Sequence, residues 1–181
     1  MTKRGIITLV LGVCWLTTQP AEAAEPAAVC HVEVHATATP GLWATRATEG
    51  STSQPRPGTI TCSGVIGGRQ LSSEVGSFNM AFSFGSTGPG PAPVKDTDCF
   101  HGWTTGQWSA SVPTVDGGTV QLGGPFGGAW AGLTWRADGR LGEHPVKAVG
   151  ETRGDPDYRN EDCVTTAFEH FIDSGQLVIE G

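Results

Sequence analysis

The sequence contains none of the short motifs that mark the common catalytic sites. It has no G-x-S-x-G nucleophile elbow, no S-x-x-K, no H-E-x-x-H, no P-loop and no G-x-G-x-x-G. It also lacks a run of Lys or Arg, and 11 basic against 18 acidic residues give a formal net charge of −7. This balance argues against nucleic acid or an anionic membrane as the main partner. The missing motifs disfavour an enzyme. They do not exclude one, because catalytic triads are defined by geometry rather than by sequence spacing.

Long apolar runs are also missing, except for one stretch near the N-terminus. Lys3 and Arg4 precede the apolar segment Gly5–Leu16, and Ala21 and Ala23 then provide small residues at the −3 and −1 positions of a cleavage site. This layout predicts a secretory signal over residues 1–23. The apolar segment is shorter than the ~20 residues that a membrane-spanning helix needs. We therefore expect a secreted, extracellular protein without a membrane span.

The remaining residues, 24–181, have the length of one domain with a sizeable core. An alternative is a lipoprotein anchored through Cys14, but Val13 stands where a lipobox needs Gly, Ala or Ser.

Four cysteines remain after the expected cleavage: Cys30, Cys62, Cys99 and Cys163. An even number in an exported chain predicts two disulfides, and three pairings are open. No two of them have the close spacing with which zinc sites usually begin. We favour the pairs Cys30–Cys62 and Cys99–Cys163. The first two lie on consecutive predicted strands, and each of the other two opens a strand after an acidic loop.

Alternating apolar and polar residues dominate the readable segments. In Gly76–Phe84 every second residue from Phe78 onward is a large apolar one, and this period of two predicts a half-buried strand. Similar patterns predict further strands, which are Val32–Val34, Thr59–Ile66, Gln107–Val112, Cys163–Ile172 and Leu177–Ile179. The best helix candidate, Glu161–Phe171, has a Thr and aromatic content that favours strand.

Turn residues separate these strands. Asp116-Gly117-Gly118, Asp138-Gly139 and Ser174-Gly175 each lie between apolar segments and predict hairpin turns. Three stretches, 40–58, 85–98 and 151–162, are predicted to be loops. The expected fold is therefore all-β, an antiparallel barrel or sandwich of about eight or nine strands held by disulfides.

Several segments resemble a group of small secreted actinobacterial β-proteins of uncharacterised function. The resemblance rests on Gly58–Gly64, Cys99, Leu122–Phe126 and Asp162–Thr165, and it covers most of residues 58–181. It implies a secreted, antiparallel, barrel-like fold. It brings no established catalytic residues, so it assigns none here.

The segment His31-Val32-Glu33-Val34-His35 is the most suggestive of metal chemistry. On a strand, His31, Glu33 and His35 share a face, with ~6.7 Å between each same-face neighbour and the next. Two imidazoles and a carboxylate are suitable ligands for zinc or copper. The alternative is a plain polar outer face opposite Val32 and Val34, and we favour it because strand alternation already explains the pattern.

Tryptophan is abundant relative to the single tyrosine. Trp108 belongs to an alternating strand and is predicted to lie in the core. Trp43 and Trp103 are flanked by turn residues, so we expect them on loops, where they line a groove or the mouth of the domain. Another pair of interest is His101 and Asp98, which could form a His–Asp pair.

These observations predict a non-enzymatic secreted domain that binds a small ligand or a surface glycan. The alternatives are an extracytoplasmic metal-dependent enzyme using His31, Glu33 and His35, and a structural protein of the cell envelope.

Overall fold

The structure, a computed structural model, describes residues 26–45, 48–85 and 97–181. The expected signal over residues 1–23, Cys14 and most of the predicted loop 85–98 lie outside these residues. The described residues contain ten strands and no helix. The strands are β1 (Pro26–Leu42), β2 (Gly50–Ser53), β3 (Gly58–Ile66), β4 (Arg69–Gln70), β5 (Gly76–Phe84), β6 (His101–Pro113), β7 (Thr119–Ala131), β8 (Thr134–Leu141), β9 (His144–Gly154) and β10 (Phe168–Glu180).

All the strand pairs are antiparallel, which confirms the predicted all-β fold. The sheet runs in the order β10-β9-β8-β7-β6-β5-β2-β1-β3-β4, with further pairings of β10 with β1 and of β5 with β3. The register of β1 and β10 begins at Pro26 opposite Glu180. The expected eight or nine strands are thus ten, and they form one ring-like sheet rather than a barrel or two packed sheets.

Strand alternation gives this sheet an apolar inner face. On β1 every second residue from Ala28 to Ala38 is buried, while the residues between them are more exposed. Cys30 lies opposite Leu177 and Val34 opposite Asp173, so the odd-numbered residues of β10 share the inner face. The inner face therefore carries both the core and, as described below, a cavity.

The core is divided into two clusters. The larger one surrounds Ile60, Val112 and Ile179, which are fully buried. It includes Trp108, which is 6% exposed and stacks on Phe78 with 6.2 Å between ring centroids. The core position predicted for Trp108 is confirmed. The smaller cluster contains Ala36, Ala38, Leu42, Phe84 and Phe171.

Both predicted disulfides are present. Cys30 and Cys62 lie directly opposite each other on β1 and β3, with their Cα atoms 4.0 Å apart. Cys99 and Cys163 join two segments outside the strands. Disulfides persist in oxidising compartments, so the two bridges are consistent with an extracellular protein.

Two of the three predicted hairpin turns are wrong. Asp116–Gly118 does form the turn between β6 and β7, but Asp138-Gly139 lies within β8 and Ser174-Gly175 within β10. These glycines provide space rather than a turn. A Cβ at Gly139 would lie 3.3 Å from Phe126 Cβ, and one at Gly175 would lie 2.7 Å from Trp135 Cζ2. The turns that flank β8 instead use Gly132 and Gly142, both with positive φ.

The predicted strand over Cys163–Ile172 begins only at Phe168. The reason is a competing hydrogen-bond pattern around Asp162. Its carboxylate accepts the backbone N–H groups of Val164, Thr165 and Thr166 and the Thr165 hydroxyl. These bonds lower the pKa of Asp162, the Thr165 hydroxyl contributing most. The segment thus satisfies its donors locally rather than in the sheet.

Two predicted loops also contain strand residues. The stretch 40–58 includes the end of β1 and all of β2, and the stretch 151–162 includes the end of β9. Among the described residues, no helix is long and apolar enough to cross a membrane.

Candidate functional site: an apolar cavity on the inner face

A cavity of about 320 Å³ adjoins the smaller core cluster. Its lining is overwhelmingly apolar, and aromatic rings supply much of it. The aromatic lining residues are Phe82, Phe84, Phe100, Phe126, Trp130, Trp135, Phe168 and Phe171. Protein cores are close-packed with few voids larger than a water molecule, so an apolar space of this size is a distinct feature of the fold.

Two tryptophans from neighbouring strands form part of its wall. Trp130 on β7 pairs directly with Trp135 on β8. The Trp135 indole lies over Gly150 and Gly175, where any Cβ would collide with the ring. Glycine at both positions therefore lets the indole lie flat against β9 and β10, and the cavity remains open beside it.

The two indole N–H groups differ in their partners. Trp130 Nε1 donates to the backbone oxygen of Asp98 at 3.0 Å. Trp135 Nε1 is buried and has no hydrogen-bond partner among the described residues. A buried donor without a partner is uncommon in native proteins and calls for an explanation.

One carboxyl group lines this apolar space. Asp173 on β10 is only 7% exposed and lies opposite Thr152 of β9, whose hydroxyl donates to Asp173 Oδ1. Burial raises the pKa of Asp173 to about 7, and the bond from Thr152 opposes the rise only in part. No cation forms an ion pair with this carboxyl group among the described residues.

The Cys99–Cys163 disulfide also lines the cavity and ties together the segments around it. The Cys99 N–H donates to the Trp43 oxygen, and the Ala44 N–H donates to the Cys163 oxygen. The Gly132 N–H donates to the Phe100 oxygen. Segments from four parts of the chain are therefore linked at this end of the sheet.

Trp43 and Trp103, the tryptophans chosen from the sequence, do not line this cavity. Trp43 follows the end of β1 and is half-buried. The prediction of a loop position for Trp103 is wrong, because this residue lies on β6 opposite Ala129. Gly102, Trp108 and Ala110 are buried on the inner face of β6, so Trp103 lies on the outer face and is half-buried. Their role as ligand contacts stays a prediction.

The structure does not bring His31, Glu33 and His35 together as a ligand set. They share the outer face of β1 as expected, but Glu33 pairs with Arg153 at 3.1 Å. His35 donates from Nδ1 to Asp155 at 2.8 Å and accepts a bond from Arg56 at Nε2 at 3.1 Å. Both ring nitrogens of His35 are therefore occupied by protein groups. The hydrogen bond from His35 is the main reason that the pKa of the buried Asp155 is lowered.

A different cluster, Glu161, Glu169 and His170, brings three potential metal ligands within 4.8 Å of one another. The contacts of these residues indicate a structural role instead. The Glu161 carboxylate accepts the backbone N–H groups of Glu169 and His170, and His170 Nδ1 lies 2.6 Å from it. Tyr158 stacks on the His170 ring at 3.6 Å. These contacts hold the connection between β9 and β10 against the start of β10.

His101 and Asp98 do meet, with 3.1 Å between His101 Nδ1 and Asp98 Oδ1. The same carboxylate oxygen accepts the backbone N–H groups of Phe100 and His101. His101 is more than half exposed, and neither residue lines the cavity. The pair therefore stabilises the turn that leads into β6.

The cavity-lining residues are not predicted from the sequence, because the turns predicted at Asp138-Gly139 and Ser174-Gly175 lie within β8 and β10. A signal was present in β10, where Phe171, Asp173, Gly175 and Leu177 alternate on one face. The turn predicted at Ser174-Gly175 ends the predicted strand at Ile172, which leaves Asp173 outside it and interrupts this alternation. No protein-family model, curated protein or solved structure matches the chain.

Proposed function

We propose that this protein is a secreted, non-enzymatic binding protein that holds a small apolar molecule in the inner-face cavity. The observation that carries the proposal is the aromatic cavity of about 320 Å³. Small-molecule sites are typically concave and mostly apolar, with a few placed polar groups, and they begin at about 300 Å³. This cavity has that size and that composition.

The chemistry of the lining selects the ligand class. A surface glycan, the other ligand class expected from the sequence, would need many hydrogen-bonding groups, whereas this wall is overwhelmingly apolar. A cavity of ~150 Å³ is enough for benzene, so a space about twice as large suits a molecule of one or two rings.

Two exposed apolar residues indicate where a ligand enters. Phe100 is 55% exposed and Leu133 is 67% exposed, and both also contribute to the cavity lining. Leu133 lies in the turn between β7 and β8, and the adjoining Gly132 bonds to the Phe100 carbonyl. We therefore place the entrance beside the contact between this turn and the segment before β6, where Phe100 and Leu133 are exposed.

Export is part of the proposal. The predicted signal over residues 1–23 and the two disulfides support it. The proposed resemblance to small secreted actinobacterial β-proteins also supports export. Expression of the full chain with its signal, followed by intact mass measurement of protein from the medium, should find a chain that starts at Ala24.

Binding is tested by titrating the purified protein with one- and two-ring apolar molecules and following tryptophan fluorescence and heat. Saturable binding with a stoichiometry of one is expected. Ala137→Phe fills the cavity from β8 and should weaken binding at least tenfold. Ala81→Phe, a matched change at an exposed position of β5, should not. Equal affinities of the two variants would contradict the proposed site.

A further inference from the structure

We propose that the ligand of this cavity carries a basic amine, and that the Asp173 carboxylate is its counter-ion. The inference rests on the proposed binding function and names the ligand chemistry more narrowly. It follows from the position of one acidic group in a predominantly apolar space.

The placement of Asp173 follows from the strand register. Asp173 lies opposite Val34 of β1 and opposite Thr152 of β9, so its side chain shares the inner face with Phe171 and Leu177. An apolar residue at this position would continue the core of β10. The carboxyl group instead replaces it at the wall of the cavity.

The polar partners that the protein supplies are incomplete. The Thr152 hydroxyl donates to Oδ1, and no further hydrogen bond to the Asp173 carboxyl group is formed by the described residues. A buried carboxylate is costly unless a cation and additional hydrogen bonds compensate it. The cavity beside Asp173 is where a ligand ammonium group would provide both.

None of the described charged side chains around the cavity serves as the counter-ion of Asp173. Among the described residues that line the cavity, Arg136 is the only other charged one. Arg136 is exposed, lies on β8 between Trp135 and Ala137, and makes no ion pair with Asp173. The strands on either side of β10 face Asp173 with Val34 and Thr152, neither of which is charged.

The aromatic wall is suited to the same chemistry. Trp130 and Trp135 line the cavity together with several phenylalanines. An ammonium group within ~6 Å of an aromatic ring is attracted by the negative face of the ring, most strongly for tryptophan. An apolar amine would thus combine burial of its rings, cation–π contact and an ion pair.

The test compares amines with neutral molecules of the same shape. Benzylamine, 2-phenylethylamine and 1-naphthylmethylamine are titrated at pH 8 beside the corresponding alcohols. At least one amine is expected to bind ten or more times more tightly than its alcohol. If alcohols bind as tightly as amines, the amine proposal is overturned and the apolar site remains. If no member of either series binds, both proposals fail.

A variant separates charge from shape. Asp173→Asn should weaken amine binding at least tenfold and change alcohol binding less than threefold. Asp138→Asn removes an exposed carboxylate from β8 and should change neither. Unchanged amine binding by Asp173→Asn would overturn the proposal.

A measurement on the unaltered protein gives an independent check. Because burial raises the pKa of Asp173 to about 7, the carboxyl group is mostly protonated at pH 6 in the free protein. Binding of an ammonium group should then release close to one proton, whereas binding of the alcohol should release none. Calorimetry in buffers with different heats of ionisation counts these protons. Equal proton release for amine and alcohol would contradict an ion pair with Asp173.

Discussion

Asp173 is a single residue whose position at the wall of the proposed binding cavity lowers the stability of the fold at neutral pH. Its carboxyl group is buried beside apolar and aromatic side chains and has one hydrogen-bond donor, Thr152. The folded state therefore favours the neutral acid, and the unfolded state favours the carboxylate. Destabilising groups of this kind are commonly retained where function requires them.

The pH dependence of stability follows from this pKa. Below the ordinary Asp pKa of 3.8 both states hold the proton, and Asp173 contributes no pH dependence. Between 3.8 and about 7 only the unfolded state loses it, so the contribution of Asp173 to the free energy of unfolding falls as pH rises. Asp173→Asn should therefore raise the free energy of unfolding at pH 8 by about 2–4 kcal/mol, at about 1.4 kcal/mol per pKa unit, and change it little at pH 4.

Urea unfolding of the ligand-free protein at both pH values measures this difference. Asp138→Asn, at an exposed position, is the control and should not show it. A variant less stable than the parent at pH 8 would mean that Thr152 and the cavity accommodate the ionised carboxylate well.

Single residues were predicted from the sequence where local patterns decide their place. Trp108 was placed in the core by alternation, and the cysteine count predicted two disulfides. The favoured pairs are the observed ones, although Cys99 and Cys163 lie before their strands rather than at the start of them. Trp130 and Trp135 were missed because their roles depend on the glycines of strands that are distant in the chain. The ion pairs of Glu33 and His35 with Arg153 and Asp155 are equally invisible to spacing within one segment.

At the level of strands, glycines on the inner face make room for aromatic rings. Gly150 lies on β9 directly opposite Trp135, and Gly175 lies on β10 opposite Gly150. The sequence indicated antiparallel strands correctly but treated Asp-Gly and Ser-Gly pairs as turns. Whether such a pair forms a turn depends on what packs against it, and the local sequence does not contain that information.

Gly150→Ala should destabilise the fold by about 1–3 kcal/mol, because the new methyl group collides with the Trp135 ring and the Ser174 carbonyl. The ring should move toward the cavity and weaken ligand binding. Gly154→Ala on the same strand is the matched control, since its Cβ would make an ordinary 3.5 Å contact with Phe168. Thermal melts and tryptophan fluorescence measure both effects. Equal melting of the two variants would show that Trp135 repacks without cost.

At the scale of the whole molecule, the two disulfides have different positions relative to the cavity. Cys30–Cys62 joins adjacent strands within the larger core cluster. Cys99–Cys163 spans 64 residues and joins two segments at the end of the sheet where the cavity lies. The first bridge belongs to the core, and the second lines the cavity proposed as the binding site.

Removal of either bridge by a double Cys→Ala change should lower stability by about 2–5 kcal/mol. Only the Cys99→Ala, Cys163→Ala protein should also lose ligand affinity under conditions where it remains folded, because the segments around the entrance are released. Circular dichroism establishes folding, and calorimetry measures affinity. Similar affinity losses for both double variants would argue against a specific role of Cys99–Cys163 at the cavity.

Because Pro26 pairs with Glu180, the first and last strands are neighbours, and this arrangement permits circular permutation of the chain. Since the start of β1 lies beside the end of β10, a short Gly/Ser linker should join residues 181 and 26 as one more hairpin. A new start can then be opened between Gly142 and Glu143, in the exposed turn between β8 and β9.

This circular permutant should fold with the same two disulfides, lose little stability, and keep the cavity. Intact mass measurement before and after reduction, together with a thermal melt, checks it, and a permutant that fails to fold would show that the β8–β9 connection is needed for folding. A successful permutant would place both new termini away from the β7–β8 turn, leaving the proposed entrance free and offering positions for fusion to a reporter protein.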